Sequence, residues 1–270
     1  MKTPITYYGG KNNMLKYILP IIPDHRIYVE AFAGGAAVFF AKRPSDIEVL
    51  NDINGNIANF YKVLISDFDA LNIEIECTLH DEYSHQQAQK IYFSKKPVYN
   101  NIKRAWAVWV LSNMSYGSDF SSGWQWVKNK NDNWHPAIKL RNKKDAFKFL
   151  KGRLKLLTVH NSDALEIIQK RDGVDTFQYL DPPYVGARQG HYSGYKKKNF
   201  GNLLELLPNL KSKFLLSSYR NNKLDELIEK NNWNSIEINQ RSSVSGRNFR
   251  KTEVLTFNYH QANCYQTSMF

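Results

Sequence analysis

The stretch Ile27-Tyr28-Val29-Glu30-Ala31-Phe32-Ala33-Gly34-Gly35-Ala36-Ala37-Val38-Phe39 constrains the fold of this chain more than any other. A short apolar strand runs into a glycine pair and then into small residues that open a helix. Glycine lets the backbone turn sharply and come close to a ligand at no steric cost. A second apolar strand, Ile47-Glu48-Val49-Leu50, leads into Asn51-Asp52. Strand, glycine turn, helix, strand and acid in this order form an α/β unit that cradles an adenosine moiety, with the acid on the ribose hydroxyls about twenty residues past the glycines. The turn is not G-x-G-x-x-G, and nothing beside it is dedicated to a pyrophosphate. A nucleoside ligand without phosphates therefore fits better than a dinucleotide.

A second feature is Asp181-Pro182-Pro183-Tyr184, which follows the strand-like run Thr176-Phe177-Gln178-Tyr179-Leu180. Proline lacks an N–H and holds its neighbour extended, so the Asp181 and Pro182 carbonyls point outward instead of entering a helix. An exocyclic amine on a nucleobase is a poor nucleophile because its lone pair is delocalised into the ring. The Asp181 carboxylate and the Pro182 carbonyl can accept its two protons, and Tyr184 offers an aromatic face for stacking, worth roughly 1–3 kcal/mol. The alternative is a rigid turn that closes a strand over a packed tyrosine. A third feature, Tyr7-Tyr8-Gly9-Gly10-Lys11, sets an aromatic and a lysine around a flexible turn that could fold over a carboxylate-bearing cofactor, or could be a solvated turn.

In this order, the three motifs resemble those of the Dam-like DNA adenine-N6 methyltransferases with the α arrangement. The resemblance is strongest at residues 5–65 and 155–185, and again at Arg241-Ser242-Ser243-Val244-Ser245-Gly246-Arg247, which is similar to the family's late basic hairpin. It implies an α/β fold, a Rossmann-like methyltransferase sheet with helices on both faces. A mostly helical target-recognition insert carrying a β-hairpin would occupy 66–153, between catalytic segments 1–65 and 154–270. It further implies S-adenosyl-L-methionine as cofactor, contacted by Tyr7, Lys11, Asp52 and Asp181, with Phe32, Gly34, Gly35, Ile53 and Asp163 as further candidate cofactor contacts. Catalysis would fall to Asp181, Pro182, Pro183 and Tyr184, acting on an adenine swung out of double-stranded DNA. Methylation of RNA adenine or cytosine N4, and an inactive nucleic-acid-binding relative, stay open as alternatives.

Composition agrees with a polyanionic partner: Lys and Arg number 37 against 25 Asp and Glu, a net charge of +12. Cys77 and Cys264 make neither a disulfide framework nor a metal cluster. The chain shows no signal peptide and no apolar run of membrane-span length. The expectation is a cytoplasmic, DNA-associated monomer without a metal; whether a companion restriction endonuclease exists is left open. Helical spacing predicts helices over Asn12–Ile22, broken at Pro20, over Asn54–Ile65, Asp81–Lys95 and Pro97–Met114, and a basic one over Pro136–Arg153. Trp106 and Trp109 are read as core. His80 and His85 stand five apart, not the four that would align both rings on one helix face for zinc, and are read as solvated.

Ser115 to His135 mixes glycine, small hydroxyls and aromatics and reads as a β-hairpin, with Ser118, Asp119, Trp124 and Gln125 as candidate base contacts. Further strands are expected at Leu154–Val159, Phe214–Ser218, Ser235–Ile238 and Glu253–Tyr259. Ser162 or Asp163 can cap a helix Ala164–Lys170, and Asp163 alternatively faces a bound adenine ring. The stretch 185–200, with Arg188, His191, Tyr192, Tyr195, Lys196, Lys197 and Lys198, is read as a DNA-backbone clamp. Arg247 and Arg250 on the late hairpin are read as further phosphate contacts.

Overall fold

The computed structural model describes residues 2–7, 9–95, 99–126, 135–184, 194–241 and 250–260. Arg188, His191, Tyr192, the stretch Ser242 to Arg247 and Cys264 lie outside the described residues, as do Tyr8 and the tail of the expected hairpin, 127–134. Seven strands form one sheet among the described residues: β1 (Ile27–Glu30), β2 (Ile47–Asn51), β3 (Leu157–His160), β4 (Thr176–Leu180), β5 (Lys213–Tyr219), β6 (Asn234–Arg241) and β7 (Arg250–Phe257). Their order is β3-β2-β1-β4-β5-β7-β6. The first five run parallel, and β7 enters antiparallel between β5 and β6. Chain order reverses between β1 and β4, the switch point outside which an open α/β sheet leaves a crevice.

Strand periodicity sorts the two faces. Tyr28 and Tyr179 point into the larger core with Phe177, Leu215 and Leu255. On the other face, Ala31, Leu180, Phe214 and Leu216 pack against three crossover helices. In chain order the helices are α1 (Leu15–Ile18), α2 (Ala37–Ala41), α3 (Gly55–Ser66), α4 (Phe68–Cys77), α5 (Glu82–Tyr92), α6 (Asn101–Met114), α7 (Pro136–Phe147), α8 (Ala164–Lys170), α9 (Lys197–Leu206) and α10 (Asn222–Asn231). Helix α3 begins where the Asn54 side chain accepts from Asn56 N, and its Ile57, Phe60, Tyr61 and Leu64 are all buried. Helices α3, α4 and α5 pack on α6, whose Trp109 is fully buried. Truncating such a side chain typically costs about 3–5 kcal/mol. Trp106 is half-buried, its Nε1 donating to Thr78 Oγ1 at 2.7 Å.

Several expectations are corrected. The segment 12–22 is only a four-residue α-helix between two 3-10 turns. The basic helix stops at Phe147, and residues 151–154 form a 3-10 turn, so β3 begins three residues later than expected. The expected β-hairpin is, within the described residues, a loop closed by one antiparallel bridge between Ser115 and Trp124. His85 is not solvated: it is buried, with its Nε2 2.9 Å from Ser115 Oγ. His80 is half-buried against the Trp124 ring at 5.4 Å. His85 holds the loop at Ser115 from the inner face of α5, and His80, just ahead of that helix, packs on Trp124 of the same loop.

A buried ion cluster joins the end of the helical segment to the sheet. Glu48 accepts from Lys42 Nζ at 2.8 Å and from both terminal nitrogens of Arg153, which also reaches Phe39 O at 2.6 Å. Its two cations hold the Glu48 carboxyl below the usual carboxylate range against the opposing pull of burial.

Candidate active site at the sheet switch point

Backbone geometry at the end of β1 depends on glycine. Gly34 has φ of 45°, and a Cβ at Gly35 would lie 3.1 Å from Tyr7 Cβ, so the N-terminal motif can rest directly on this loop. Four polar side chains then tie the loops after β1, β2 and β3 together. Asp52 Oδ2 accepts from Gly34 N and its Oδ1 from Asn54 N, both at 2.8 Å. Asn51 Nδ2 donates to Ala31 O and Ser162 O, while its Oδ1 accepts from Ser162 N. Asn161 Nδ2 donates to Asp52 O, and the Tyr61 hydroxyl donates to Gly34 O. Asn161, Tyr61 and the bracing role of Asn51 were missed in the sequence, where only a polar residue at a strand end could have signalled them.

Asp52 is 2% exposed, and burial pushes its carboxyl up to about 6, against the pull of its two backbone donors. Each carboxylate oxygen keeps a further lone pair beyond the one used by the backbone. Phe32 is half-buried and Ile53 is 65% exposed at the same end of the sheet, leaving an apolar surface beside the acid. Asp163 takes the capping role, accepting from Leu165 N at 2.8 Å; burial, with the Asp163 charge second, holds the Tyr195 phenol above its ordinary range. The Tyr195 ring stands edge-on to Phe32, with centroids 6.1 Å apart.

Asp181 follows β4, beside the β1 loop. Its Oδ1 lies 2.9 Å from Lys11 Nζ, which also donates to Gly9 O and sits 4.7 Å from the Tyr184 ring centroid. Burial raises the Asp181 carboxyl above the usual range, while the Lys11 ammonium and the Tyr184 hydroxyl pull it back. Glu30, at the end of β1, accepts from the Tyr28 hydroxyl and Phe39 N; burial pushes it up to about 8. Pro182 and Pro183 are buried, and Tyr184 is half-buried. Tyr7, 7% exposed, meets Phe120 edge-on at 5.8 Å. Phe120 comes from the 115–126 loop, so that loop packs against the N-terminal motif.

The candidate DNA-contacting residues are distributed unevenly. Asp119 accepts from Ser121 N and Oγ, and Gln125 N donates to Met114 O, so both help to shape the loop. Ser118 has φ of 55°. Trp124 is half-buried, whereas Tyr116 and Trp126, which the sequence reading passed over, are 71% and 57% exposed. Lys196, Lys197 and Lys198 are exposed at the start of α9. Arg250 begins β7 opposite Arg241. The basic face of α7 is partly engaged within the protein: Lys143 Nζ donates to Thr3 O, and Lys144 Nζ to Glu76 O and Thr78 O. Among the described residues there is no group of three His, Cys, Asp or Glu able to hold a metal, and no helix long and apolar enough to cross a membrane.

A five-stranded parallel sheet extended by an antiparallel β7–β6 pair, with Asp-Pro-Pro-Tyr at its switch point, defines a Rossmann-like methyltransferase fold. The family model for D12 class N6 adenine-specific DNA methyltransferases matches residues 7–244, and the chain belongs to that family. It is 27% identical over 205 residues to the DNA N-6-adenine-methyltransferase of Escherichia phage P1, covering 70% of this chain and 25% of the phage protein. It is 24% identical to the type II methyltransferase M1.LlaDCHI of Lactococcus lactis subsp. cremoris, with 93% of both chains covered. Similarity to the modification methylase StsI of Streptococcus sanguinis is 24%, over 73% of this chain and 30% of that one. The chain thus spans about a quarter of the phage protein and nearly all of the lactococcal one.

Proposed function

We propose that this chain transfers a methyl group from S-adenosylmethionine to N6 of an adenine taken out of double-stranded DNA. The observation that carries the reading is the mostly buried Asp181 carboxylate at the end of β4, beside the glycine loop and paired with Lys11. Asp52, Phe32 and Ile53 suit a nucleoside, and Lys11 and Tyr7 suit the amino-acid end of the cofactor, with Gly34 and Gly35 allowing close approach. When bound, S-adenosylmethionine supplies an electrophilic methyl group. The chain's own residues do the rest. Asp181 and the Pro182 carbonyl accept the two amine protons, orient the nitrogen, and stabilise the positive charge that develops on it. Tyr184 stacks on the base, which leaves its helix at a cost of a few kcal/mol. Asp181 is not a simple general base, because the amine becomes acidic only as the methyl arrives.

In this reading, 1–65 and 154–270 form the catalytic unit, and 66–153 selects the target through the 115–126 loop. Lys196, Lys197 and Lys198 stand at the N-terminal end of a helix, where the dipole disfavours cations; a phosphate partner removes that penalty. The test is modified-base sequencing of genomic DNA from cells expressing the chain, alongside Asp181→Ala. N6-methyladenine in a fixed sequence context is expected with the wild type. With Asp181→Ala it should fall by about 10²–10³ in rate while duplex binding persists, the usual cost of one preorganised contact. Cytosine modification, or incorporation unchanged by Asp181→Ala, would refute the proposal.

A further inference from the structure

The Tyr184 ring is held by groups that lie outside all three sequence motifs. Its hydroxyl is 2.8 Å from Ser217 Oγ and donates to Glu253 Oε2 at 3.4 Å. A phenol has one proton, which the Glu253 and Asp181 carboxylates both attract; with it toward either one, the Ser217 hydroxyl donates to the phenol oxygen. Ser217 and Tyr219 are two apart on β5 and share a face of the sheet. The antiparallel register sets Glu253 of β7 opposite Tyr219. The Tyr219 ring in turn packs against that of Tyr184, with centroids 4.5 Å apart at 59°. Beside these rings lies a cleft of about 210 Å³ lined by Pro183, Tyr184, Phe200, Leu204, Ser218 and Tyr219, among others. A tyrosine side chain turns about only two torsions, and this cleft gives an untethered ring room to turn away. The hydroxyl contacts therefore hold the long axis of the ring in one direction, and the packed Tyr219 ring sets its plane.

We propose that Ser217 and Glu253 are positioning residues that fix the direction of the Tyr184 ring against Tyr219, so that a base stacked on it presents its amine to Asp181. The inference rests on the reading of Tyr184 as the stacking surface. Neither residue touches the base; both act through the tyrosine hydroxyl.

The test uses the full chain with Tyr184→Phe, Ser217→Ala, their double mutant, Glu253→Ala, Glu253→Gln and Tyr184→Ala. Labelled methyl transfer to unmethylated genomic DNA gives kcat and KM, calorimetry gives S-adenosylhomocysteine affinity, and thermal unfolding gives Tm. Loss of one hydrogen bond that orders the ring should lower kcat about tenfold in Tyr184→Phe and in Ser217→Ala. DNA KM and cofactor affinity should stay within about twofold. The double mutant should be no slower than the slower single mutant, the signature of a shared contact. Glu253→Gln keeps an acceptor and should turn over well above Glu253→Ala. Wild-type rates in Tyr184→Phe and Ser217→Ala with a slow Tyr184→Ala would overturn the positioning role and leave the stacking role standing. A wild-type rate in Tyr184→Ala would overturn both. Losses of kcat that follow losses of Tm across the set would mark Ser217 and Glu253 as structural and overturn the inference.

Discussion

Replacing Lys11 by Met removes the cation that faces Asp181 while keeping the length and apolar stem of the side chain. The Lys11–Asp181 distance is 2.9 Å and both side chains are mostly buried. Coulomb's law at this separation gives ~1.4 kcal/mol with the dielectric of water and ~6 kcal/mol at the effective value of ~20 suited to sites near a surface. The smaller figure is a floor, because the site is more enclosed than bulk water, and it equals about one pH unit of carboxylate ionisation. Burial already raises the Asp181 carboxyl, and Lys11 opposes that rise. Asp181 must be ionised to accept the amine proton, so activity falls as pH drops through its titration. The acid limb of the kcat–pH profile should therefore move upward by at least about one pH unit in Lys11→Met, measured at saturating cofactor because Lys11 is also a proposed cofactor contact. Lys11→Gln, which keeps a donor without charge, should fall between the two. An acid limb that stays in place would show that Asp181 does not govern it or that the ion pair is absent from the working complex.

Asp52→Asn should weaken S-adenosylhomocysteine binding, since a hydrogen bond to a charged group contributes roughly 1.5–3 kcal/mol; calorimetry reads this directly. Because the Asp52 carboxyl is pushed up to about 6, wild-type affinity should also decline as pH falls through that value. Glu30, with its folded value of about 8 above the ordinary 4.5, binds more protons folded than unfolded between those limits. Stability from this group is thus full below pH 4.5 and lost as pH rises to about 8, so the Tm advantage of Glu30→Gln over wild type should grow across that window and level off above it. A constant or shrinking difference would contradict this. Neutralising Lys196, Lys197 and Lys198 together should weaken binding to cognate and scrambled duplexes alike and reduce the salt slope by about 0.9 per lost phosphate contact. Loss confined to the cognate duplex would assign them to base reading.

The parts of the site visible in the sequence are those built by local chain. The glycine turn after β1, Asp52 after β2 and the proline pair after β4 each owe their geometry to neighbours within a few residues. One helix cap was equally legible: of the two candidates Ser162 and Asp163, the Asp163 side chain accepts from Leu165 N. Helix α4 was passed over although Phe68, Leu71 and Ile75 follow a helical spacing, because its apolar face is short and lies among acids. His85 looked solvated because α5 is polar over most of its surface; only the packing of Ala88 and Ile91 reveals its inner face. The lysines of α7 looked free because the carbonyls they reach, on Thr3, Glu76 and Thr78, are 66 to 140 residues away. Ser217 and Glu253 could not be linked to Tyr184 at all, since nothing local says that β7 lies between β5 and β6.

That strand order has a consequence for the chain during its synthesis. Residues 250–257 follow every other described strand in sequence yet occupy an interior place in the sheet. Until they leave the ribosome, β5 is an edge with unpaired backbone groups, and β6 has no described neighbour to join. The nascent protein can assemble its cofactor loops early, from residues 27–66 and 157–184, but the floor beneath Tyr184 closes only when β7 inserts. Completion of the reaction centre is thereby tied to synthesis having passed Phe257, so a product terminated before β7 carries the recognisable motifs without the brace behind them.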